Sequence, residues 1–131
     1  MASKDTLTEL DNRRMFNRAL QSAMEDAVKQ FAPASILIVD VDHFKRYNDH
    51  YGHAQGDQCL QMVADTLQSV FARAGEVVAR LGGDEFALVL SACTAEKVMA
   101  ACQTIIGALE TTPFDWGGAR YSVRASVGVA M

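Results

Sequence analysis

Acidic residues close an apolar run about a third of the way along the chain, where the sequence reads Ile36-Leu-Ile-Val-Asp-Val-Asp42. A short β-branched run of this kind favours a buried strand, and side chains two positions apart on a strand point to the same face. Asp40 and Asp42 are therefore expected to emerge together at the strand end. Because unpaired carboxylates are costly to bury, solvent or a cation must satisfy them, and oxygen ligands favour magnesium over zinc or copper.

A second acidic pair lies in the middle of the chain, in a run that reads Arg80-Leu-Gly-Gly-Asp-Glu-Phe-Ala-Leu-Val-Leu90. Apolar stretches around Gly82-Gly83 predict a β-hairpin with a tight two-residue connection, since glycine accepts positive φ and leaves the backbone open to a ligand. Asp84 and Glu85 would then lie at the bend. If this hairpin pairs with the first strand, Asp40 and Asp84 or Glu85 converge to hold one or two magnesium ions, as two-metal nucleotidyl transfer requires.

Each acidic motif also has a purely structural interpretation. The hairpin could be an ordinary surface turn with polar residues at its tip. The segment Asp40-Val-Asp42 could serve only to solvate a strand end and cap the next helix. The occurrence of both motifs in one small domain favours a shared metal site over coincidence.

The polar segment between the two motifs supplies candidate nucleotide contacts. Lys45 could meet a phosphate as a point charge, and Asn48 and Asp57 could bind a base. Guanine presents an N1 proton and an exocyclic amine side by side, two donors that one carboxylate accepts together, whereas adenine has an acceptor at N1. An aspartate in the pocket would select guanine, because the wrong base leaves a buried polar group unpaired.

These motifs together resemble the GGDEF domain of diguanylate cyclases, bacterial enzymes that make cyclic di-GMP from two GTP molecules. The resemblance covers nearly the whole chain and is specific, because five blocks occur in the family's order. The blocks are Asp5-Thr-Leu-Thr-Glu-Leu-Asp-Asn-Arg-Arg14, Asp40-Val-Asp-His-Phe-Lys-Arg-Tyr-Asn-Asp49, Gly52-His-Ala-Gln-Gly-Asp57, Arg80-Leu-Gly-Gly-Asp-Glu-Phe86 and Ser126-Val-Gly-Val-Ala130.

For the metal site, the resemblance implies that Asp40 is the family's metal-binding aspartate, that the Val41 carbonyl is its backbone ligand, and that Asp84 binds metal. The cofactor it implies is Mg²⁺, with Mn²⁺ as an alternative. The resemblance also implies a proton-accepting residue in the signature motif Gly82-Gly-Asp-Glu-Phe86, and we assign this role to Asp84 first and to Glu85 second.

For the substrate, the resemblance implies that Asn48 and Asp57 contact guanine, that His53 and Arg80 lie near the nucleotide, and that Lys45 contacts a phosphate. The reaction it implies is attack by the 3′-hydroxyl of one GTP on the α-phosphate of another, with pyrophosphate leaving. Each domain of the family holds one GTP, so a second GGDEF protomer is the expected partner. A lone monomer should bind GTP but hardly turn over.

Two departures from the family pattern lie outside the metal site. Glu9 and Asp11 stand where the family often has Gly and Pro. The family's product-inhibition site usually reads Arg-x-x-Asp, but here it is Arg73-Ala-Gly-Glu76. The motif therefore does not decide whether cyclic di-GMP inhibits the domain through Arg73 and Glu76.

A third departure concerns the C-terminal end. Family members continue after the Ser126 block with another helix that carries a lysine and an arginine for the triphosphate, whereas the sequence given stops at Met131. We therefore expect residues 1–131 to form one GGDEF domain that lacks its C-terminal helix and belongs to a larger sensor protein.

The composition agrees with one compact domain that binds neither membrane nor nucleic acid. Half the residues are apolar, no run is long enough to cross a membrane, and the net charge of −4 lacks the basic clusters of a nucleic-acid surface. A cytoplasmic location is expected. Cys59, Cys93 and Cys102 are odd in number and lack metal-ligand spacing, which favours reduced, buried thiols over the alternative of a reactive cysteine.

The apolar periodicity predicts the element order αβααββαβ. Helices are expected over 11–31, with Thr8 and Asp11 as a capping box, and over 43–49, 54–73 and 94–109, with Thr94 as a cap. Tyr121 to Met131 would form one final strand. This order favours an α/β sandwich with a mainly antiparallel central sheet, which is the nucleotide-cyclase-like fold that the resemblance implies.

Three functions remain open at this point. The first is an active diguanylate cyclase, favoured because the acids and the guanine-binding pair are all present. The second is a catalytically inactive GTP or cyclic di-GMP binding module. The third is a scaffold domain that acts only by dimerising.

Overall fold

The computed structural model describes residues 3–30, 34–41, 44–71, 76–90, 94–111, 114–116, 119–121 and 125–130. Their elements follow in the order α1 (Arg13–Gln30), β1 (Ser35–Val41), α2 (Phe44–Tyr51), α3 (His53–Phe71), β2 (Val77–Gly82), β3 (Glu85–Leu90), α4 (Ala95–Thr111), β4 (Phe114–Trp116), β5 (Ala119–Tyr121) and β6 (Ala125–Ala130).

Among the described residues, four strands form the central sheet in the order β2-β3-β1-β6, and each neighbouring pair is antiparallel. The expected α/β sandwich around an antiparallel sheet is therefore confirmed. The small hairpin of β4 and β5 forms a separate sheet that the sequence analysis missed. Strands of three residues are too short to show a period-two pattern, so β4 was not predicted, and the final strand predicted over Tyr121 to Met131 combined the last residue of β5 with β6.

The sheet has apolar residues on both faces because it lies between two layers of helices and successive side chains of each strand point to opposite layers. On one face Leu37, Val39 and Phe86 pack against α3 and α4 in the main core. On the other face Ala87 and Val89 pack under α1, together with Phe16 and Ala23 of that helix. Side chains two positions apart share a face, so Asp40, the acid near the end of β1, lies on the α1 side of the sheet.

Helix α1 begins one turn later than its predicted cap. The Asn12 side chain accepts a hydrogen bond from the Met15 N–H at 3.1 Å, so Asn12 is the N-cap and the predicted Thr8–Asp11 capping box is wrong. Asparagine caps a helix as well as threonine does, and sequence alone did not separate the two. Met24 and Val28 of α1 are apolar but 59% and 76% exposed, whereas Phe16 and Ala23 of the same helix are buried.

Helix α4 starts as predicted, with the Lys97 N–H donating to the Thr94 hydroxyl at 3.3 Å. Val98 and Cys102 of this helix are buried, whereas Ile106 is 37% exposed. Within the described ranges, no helix combines the length and apolar character that crossing a bilayer requires.

The described cysteines agree with the expectation of inert thiols. Cys59 and Cys102 are free and buried, and burial raises the pKa of Cys59 to about 11. A thiol with a raised pKa carries little thiolate at neutral pH and reacts slowly. Cys93 lies outside the described residues.

Candidate active site

The hairpin at the signature motif places its turn one residue later than the sequence suggested. Gly82 still belongs to β2 and pairs with Glu85, so the two central turn residues are Gly83 and Asp84. Gly83 has a φ of 50°, whereas Asp84 is absent from the residues with positive φ. Positive φ at only the first central position is typical of a type II′ turn, which needs glycine there. Asp84 is therefore part of the bend itself.

A β-bulge lies directly before this turn. Arg80 pairs with Phe86 and Gly82 pairs with Glu85, which leaves Leu81 as an extra residue on β2. Bulges bend a strand and re-aim the side chains beside them, and they are common next to active sites.

The end of β1 lies beside the turn, as the sequence analysis required. Asp40 is directly opposite Glu85 in the antiparallel register, and the Val41 N–H donates to the Asp84 carbonyl at 3.2 Å. Directly opposed residues on one face have Cβ atoms about 4.5–5.5 Å apart. Two segments, Asp40-Val41 and Asp84-Glu85, thus meet at one edge of the sheet.

This edge offers an oxygen-rich donor set that suits a hard divalent cation. Asp40 is exposed, whereas Asp84 and Glu85 are partly buried. Among the described side chains, no group of three or more His, Cys, Asp or Glu is placed to hold a metal ion, and Asp42 lies outside them. The expected ligand set contains only two carboxylates and one backbone carbonyl, and Mg²⁺ commonly binds through one or two carboxylates plus substrate phosphates. The residues at this edge fit that pattern.

Arg80 holds the turn in place. Its Nε and Nη2 donate to the Gly83 carbonyl at 3.1 and 2.9 Å, and its Nη1 lies 3.2 Å from both carboxylate oxygens of Asp5. The side chains of Arg80 and Asp5 are 15% and 20% exposed, so the ion pair is partly shielded from water. The structure thus places Arg80 on the turn carbonyl and on the N-terminal segment.

Asp5 is a site-supporting residue that the sequence analysis did not single out. Its carboxylate accepts hydrogen bonds from the N–H and hydroxyl of Thr8 at 2.9 and 2.8 Å. Burial alone would raise the pKa of Asp5, but the bonds from Thr8 and Arg80 outweigh that effect and hold the pKa below its ordinary value of 3.8. The spacing Asp5-x-x-Thr8 is typical of a side chain that bonds to nearby backbone, and it was the available signal.

The candidate guanine contacts gather where α2 meets α3. Asn48 Nδ2 lies 3.1 Å from His53 Nδ1, and Asn48 Oδ1 is buried with no hydrogen-bond partner among the described residues. Gly56, one turn into α3, packs directly against the Asn48 amide. Asp57 follows Gly56 and is exposed. Asn48 and His53 are thus in contact, and Asp57 lies on the adjoining turn of α3.

A search of family models decides the family of this chain. The model described as "Diguanylate cyclase, GGDEF domain" matches residues 2–131. The chain belongs to the GGDEF domain family.

Two relatives of this GGDEF domain illustrate its range. The probable diguanylate cyclase DgcE of Escherichia coli K12 is 37% identical over 130 residues, which are 99% of this chain and 12% of the relative. The cyclic di-GMP phosphodiesterase NbdA of Pseudomonas aeruginosa is 34% identical over 131 residues, 100% of this chain and 16% of the relative. The chain therefore spans less than a fifth of the length of either protein.

Solved structures share the fold of this GGDEF domain. The crystal structure of the GGDEF domain of DgcB from Caulobacter crescentus in complex with c-di-GMP superposes with a TM-score of 0.92 at 30% identity. The match covers 98% of this chain and 74% of that chain. The nucleotide-cyclase-like fold that the resemblance implied is thereby confirmed.

Lys45 and Glu76 are the remaining predicted site residues of this GGDEF domain that the structure describes. Lys45 is exposed in the first turn of α2, three residues before Asn48 and so on the same side of the helix. Glu76 is half-buried just before β2 and lines an open cleft of about 200 Å³ between α1 and the sheet. Arg73, its predicted partner in product inhibition, lies outside the described residues.

Proposed function

We propose that this domain is a diguanylate cyclase that joins two GTP molecules into cyclic di-GMP and releases pyrophosphate, with one GTP per protomer of a dimer. The observation that carries the proposal is the antiparallel register that sets Asp40 opposite Glu85, with the Val41 N–H on the Asp84 carbonyl. Membership in the GGDEF family supports the same activity.

In this proposal Asp40, the Val41 carbonyl and Asp84 would hold Mg²⁺, with Mn²⁺ as an alternative. When bound, the metal lowers the cost of deprotonating the attacking hydroxyl and stabilises negative charge on the phosphate oxygens. The donors at this edge are all oxygen atoms, which is the set that such hard cations prefer.

The chain's own residues would orient the substrate and move the proton. Asp84 is the first candidate to accept the 3′-hydroxyl proton and Glu85 the second, while the new bond forms from that oxygen to the α-phosphorus and the bond to pyrophosphate breaks. Asn48 and Asp57 would bind guanine, with His53 in contact with Asn48. These side chains must be held closely, since misplacing the reacting atoms is expensive.

Two further predicted contacts complete the proposed site. Lys45, exposed on α2, would meet a phosphate as a point charge. Arg80 would support the site by holding the Gly83 carbonyl, and so the turn that carries Asp84. A direct contact between Arg80 and the nucleotide stays a prediction.

The partner and the setting follow from the chemistry. Because each domain would hold one GTP, a second GGDEF protomer must face the first before the 3′-hydroxyl can reach the other α-phosphate. We place the reaction in the cytoplasm, where GTP is available. Since both relatives are several times longer than this chain, we further propose that the domain is the output part of a larger sensor protein.

The test is product formation by protein in which dimerisation is enforced. The purified chain, alone and fused to a leucine zipper, is incubated with GTP and Mg²⁺, and cyclic di-GMP is separated by chromatography. We expect product from the zipper fusion and little from the monomer. Asp84→Asn should abolish product, whereas Glu25→Gln, which removes one charge from an exposed position on α1, should not.

Other outcomes select other functions. GTP or cyclic di-GMP binding without product in the zipper fusion would identify a catalytically inactive binding module. No binding of either nucleotide would leave only a domain that acts by dimerising.

A further inference from the structure

The space beside Gly56, in the first turn of α3, is filled by the side chain of Asn48 from α2. A Cβ built on Gly56 would lie 1.7 Å from Asn48 Oδ1, 2.8 Å from its Cγ and 3.2 Å from Phe44 Cζ. Real Cβ atoms essentially never approach other atoms as closely as the first two of these distances. Asn48 can therefore occupy its position only because residue 56 lacks a side chain.

The backbone at this position does not itself demand glycine. Gly56 is inside α3 and is not among the glycines with positive φ, so an alanine would adopt the same conformation. Alanine would also favour the helix, since glycine in a helix interior is destabilising relative to alanine. The glycine thus carries a cost that the close approach of Asn48 explains.

Further hydrogen bonds connect Asn48 with α3. Its Nδ2 lies 3.1 Å from His53 Nδ1, which acts as acceptor when the ring is neutral and its other nitrogen carries the proton. The backbone continues the link, because the Gly52 N–H donates to the Asn48 carbonyl at 2.8 Å and the Gly56 N–H donates to the Gly52 carbonyl at 3.1 Å. Asp57 follows Gly56 directly in the chain, so the offset between the Asn48 amide and Asp57 is set at the same place.

We propose that Gly56 is a specificity-determining positioning residue, whose missing Cβ sets the Asn48 amide at the distance from Asp57 that one guanine requires. Gly56 acts through Asn48 and does not touch the base. This inference rests on the proposed function, because it assigns guanine to the Asn48–Asp57 pair.

The test is a four-protein cycle of wild type, Gly56→Ala, Asn48→Ala and the double variant. Affinity is measured by calorimetry with 3′-deoxy-GTP and Mg²⁺, since a nucleotide without the attacking hydroxyl binds but does not react. The same titrations with 3′-deoxy-ATP report base selectivity. The matched control is Gly107→Ala, a helical glycine of α4 whose added Cβ would meet nothing within 4 Å.

We expect Gly56→Ala and Asn48→Ala each to weaken 3′-deoxy-GTP binding by about tenfold and to lower the preference for it over 3′-deoxy-ATP, because the first change displaces the Asn48 amide and the second removes it. The double variant should bind no more weakly than Asn48→Ala alone, because the two changes act on the same contact. Gly107→Ala should leave binding unchanged.

Thermal unfolding of the same proteins gives a second readout that needs no nucleotide. Alanine at position 56 should lower Tm when Asn48 is present and raise it in the Asn48→Ala background, where the obstructing amide is gone and the gain in helix propensity remains. If Gly56→Ala alone does not fold, recovery of folding by Asn48→Ala supports the proposal in the same way.

Three results would overturn the inference: unchanged binding by Gly56→Ala, additive losses in the double variant, or the same Tm effect of alanine in both backgrounds. Normal binding and coupling without cyclic di-GMP from the zipper fusion would refute the proposed enzyme while supporting the positioning role. No nucleotide binding by wild type would overturn both.

Discussion

Replacing Glu9 by glycine should stabilise the domain. Glu9 has a φ of 63° and is the one non-glycine residue with positive φ among those described. The left-handed conformation brings the Cβ of an L-residue too close to the following carbonyl oxygen. A glycine at this position removes that contact and keeps the hydrogen bond from the residue 9 N–H to the Asp5 carbonyl at 2.9 Å.

The size of the gain follows from two opposing terms. Relief of the left-handed conformation contributes about 1–2 kcal/mol, and the greater freedom of glycine in the unfolded chain costs roughly 0.4–1 kcal/mol. The Glu9 side chain is exposed, so its removal adds little. The net gain is about 1 kcal/mol, which in a domain of this size raises Tm by roughly 3–5 °C.

The assay is thermal and urea unfolding of wild type, Glu9→Gly and Glu9→Ala, with circular dichroism as the signal that monitors unfolding. Glu9→Ala is the matched control because it removes the same carboxylate but keeps the Cβ, so its Tm should stay close to that of wild type. Equal stabilisation by glycine and alanine would show that charge, rather than backbone conformation, is responsible. A lower Tm for Glu9→Gly would refute the reasoning outright.

Three further outcomes can be measured on the same protein. Because the pKa of Asp5 is lowered in the folded state, the ionised carboxylate stabilises the folded domain fully above about pH 4, and this contribution is lost as pH falls through the folded pKa. Asp5→Asn should remove this acid-dependent part of the unfolding free energy, as measured by urea unfolding. Leu67→Ala should lower the unfolding free energy by about 2–5 kcal/mol, because the side chain is fully buried in the main core. Asp57→Asn should lower the selectivity for GTP over ATP in competition binding by about tenfold, since an amide cannot accept both guanine donors.

The large features of the fold were predictable because their signals are local and strong. The apolar run of β1, the periodic stripe of α3 and the glycines before Asp84 each gave the correct element. The pairing of β1 with the hairpin, on which the site depends, was only a condition in the sequence analysis, since register is a long-range property.

The details that sequence reasoning missed depend on competition between similar groups. Asn12, rather than Thr8, caps α1; both residue types are good caps, but the Thr8 hydroxyl is bonded to Asp5. The contacts of Arg80 were missed as well: its guanidinium bonds to Gly83 and to Asp5, a residue 75 positions away in the chain, while its place near the nucleotide stays a prediction. No spacing rule connects residues that far apart.

The antiparallel register of β1 and β3 makes the alignment of the acids a property of the hydrophobic core. Ile38 faces Ala87, Val39 faces Phe86 and Asp40 faces Glu85 along one continuous ladder. A slip of one residue would turn every side chain of β3 to the opposite face and carry Glu85 toward α3. Mutations of buried apolar residues, several positions from any ligand, could therefore abolish the proposed activity without unfolding the domain. Proximity to the acids is then a poor guide to which positions tolerate change.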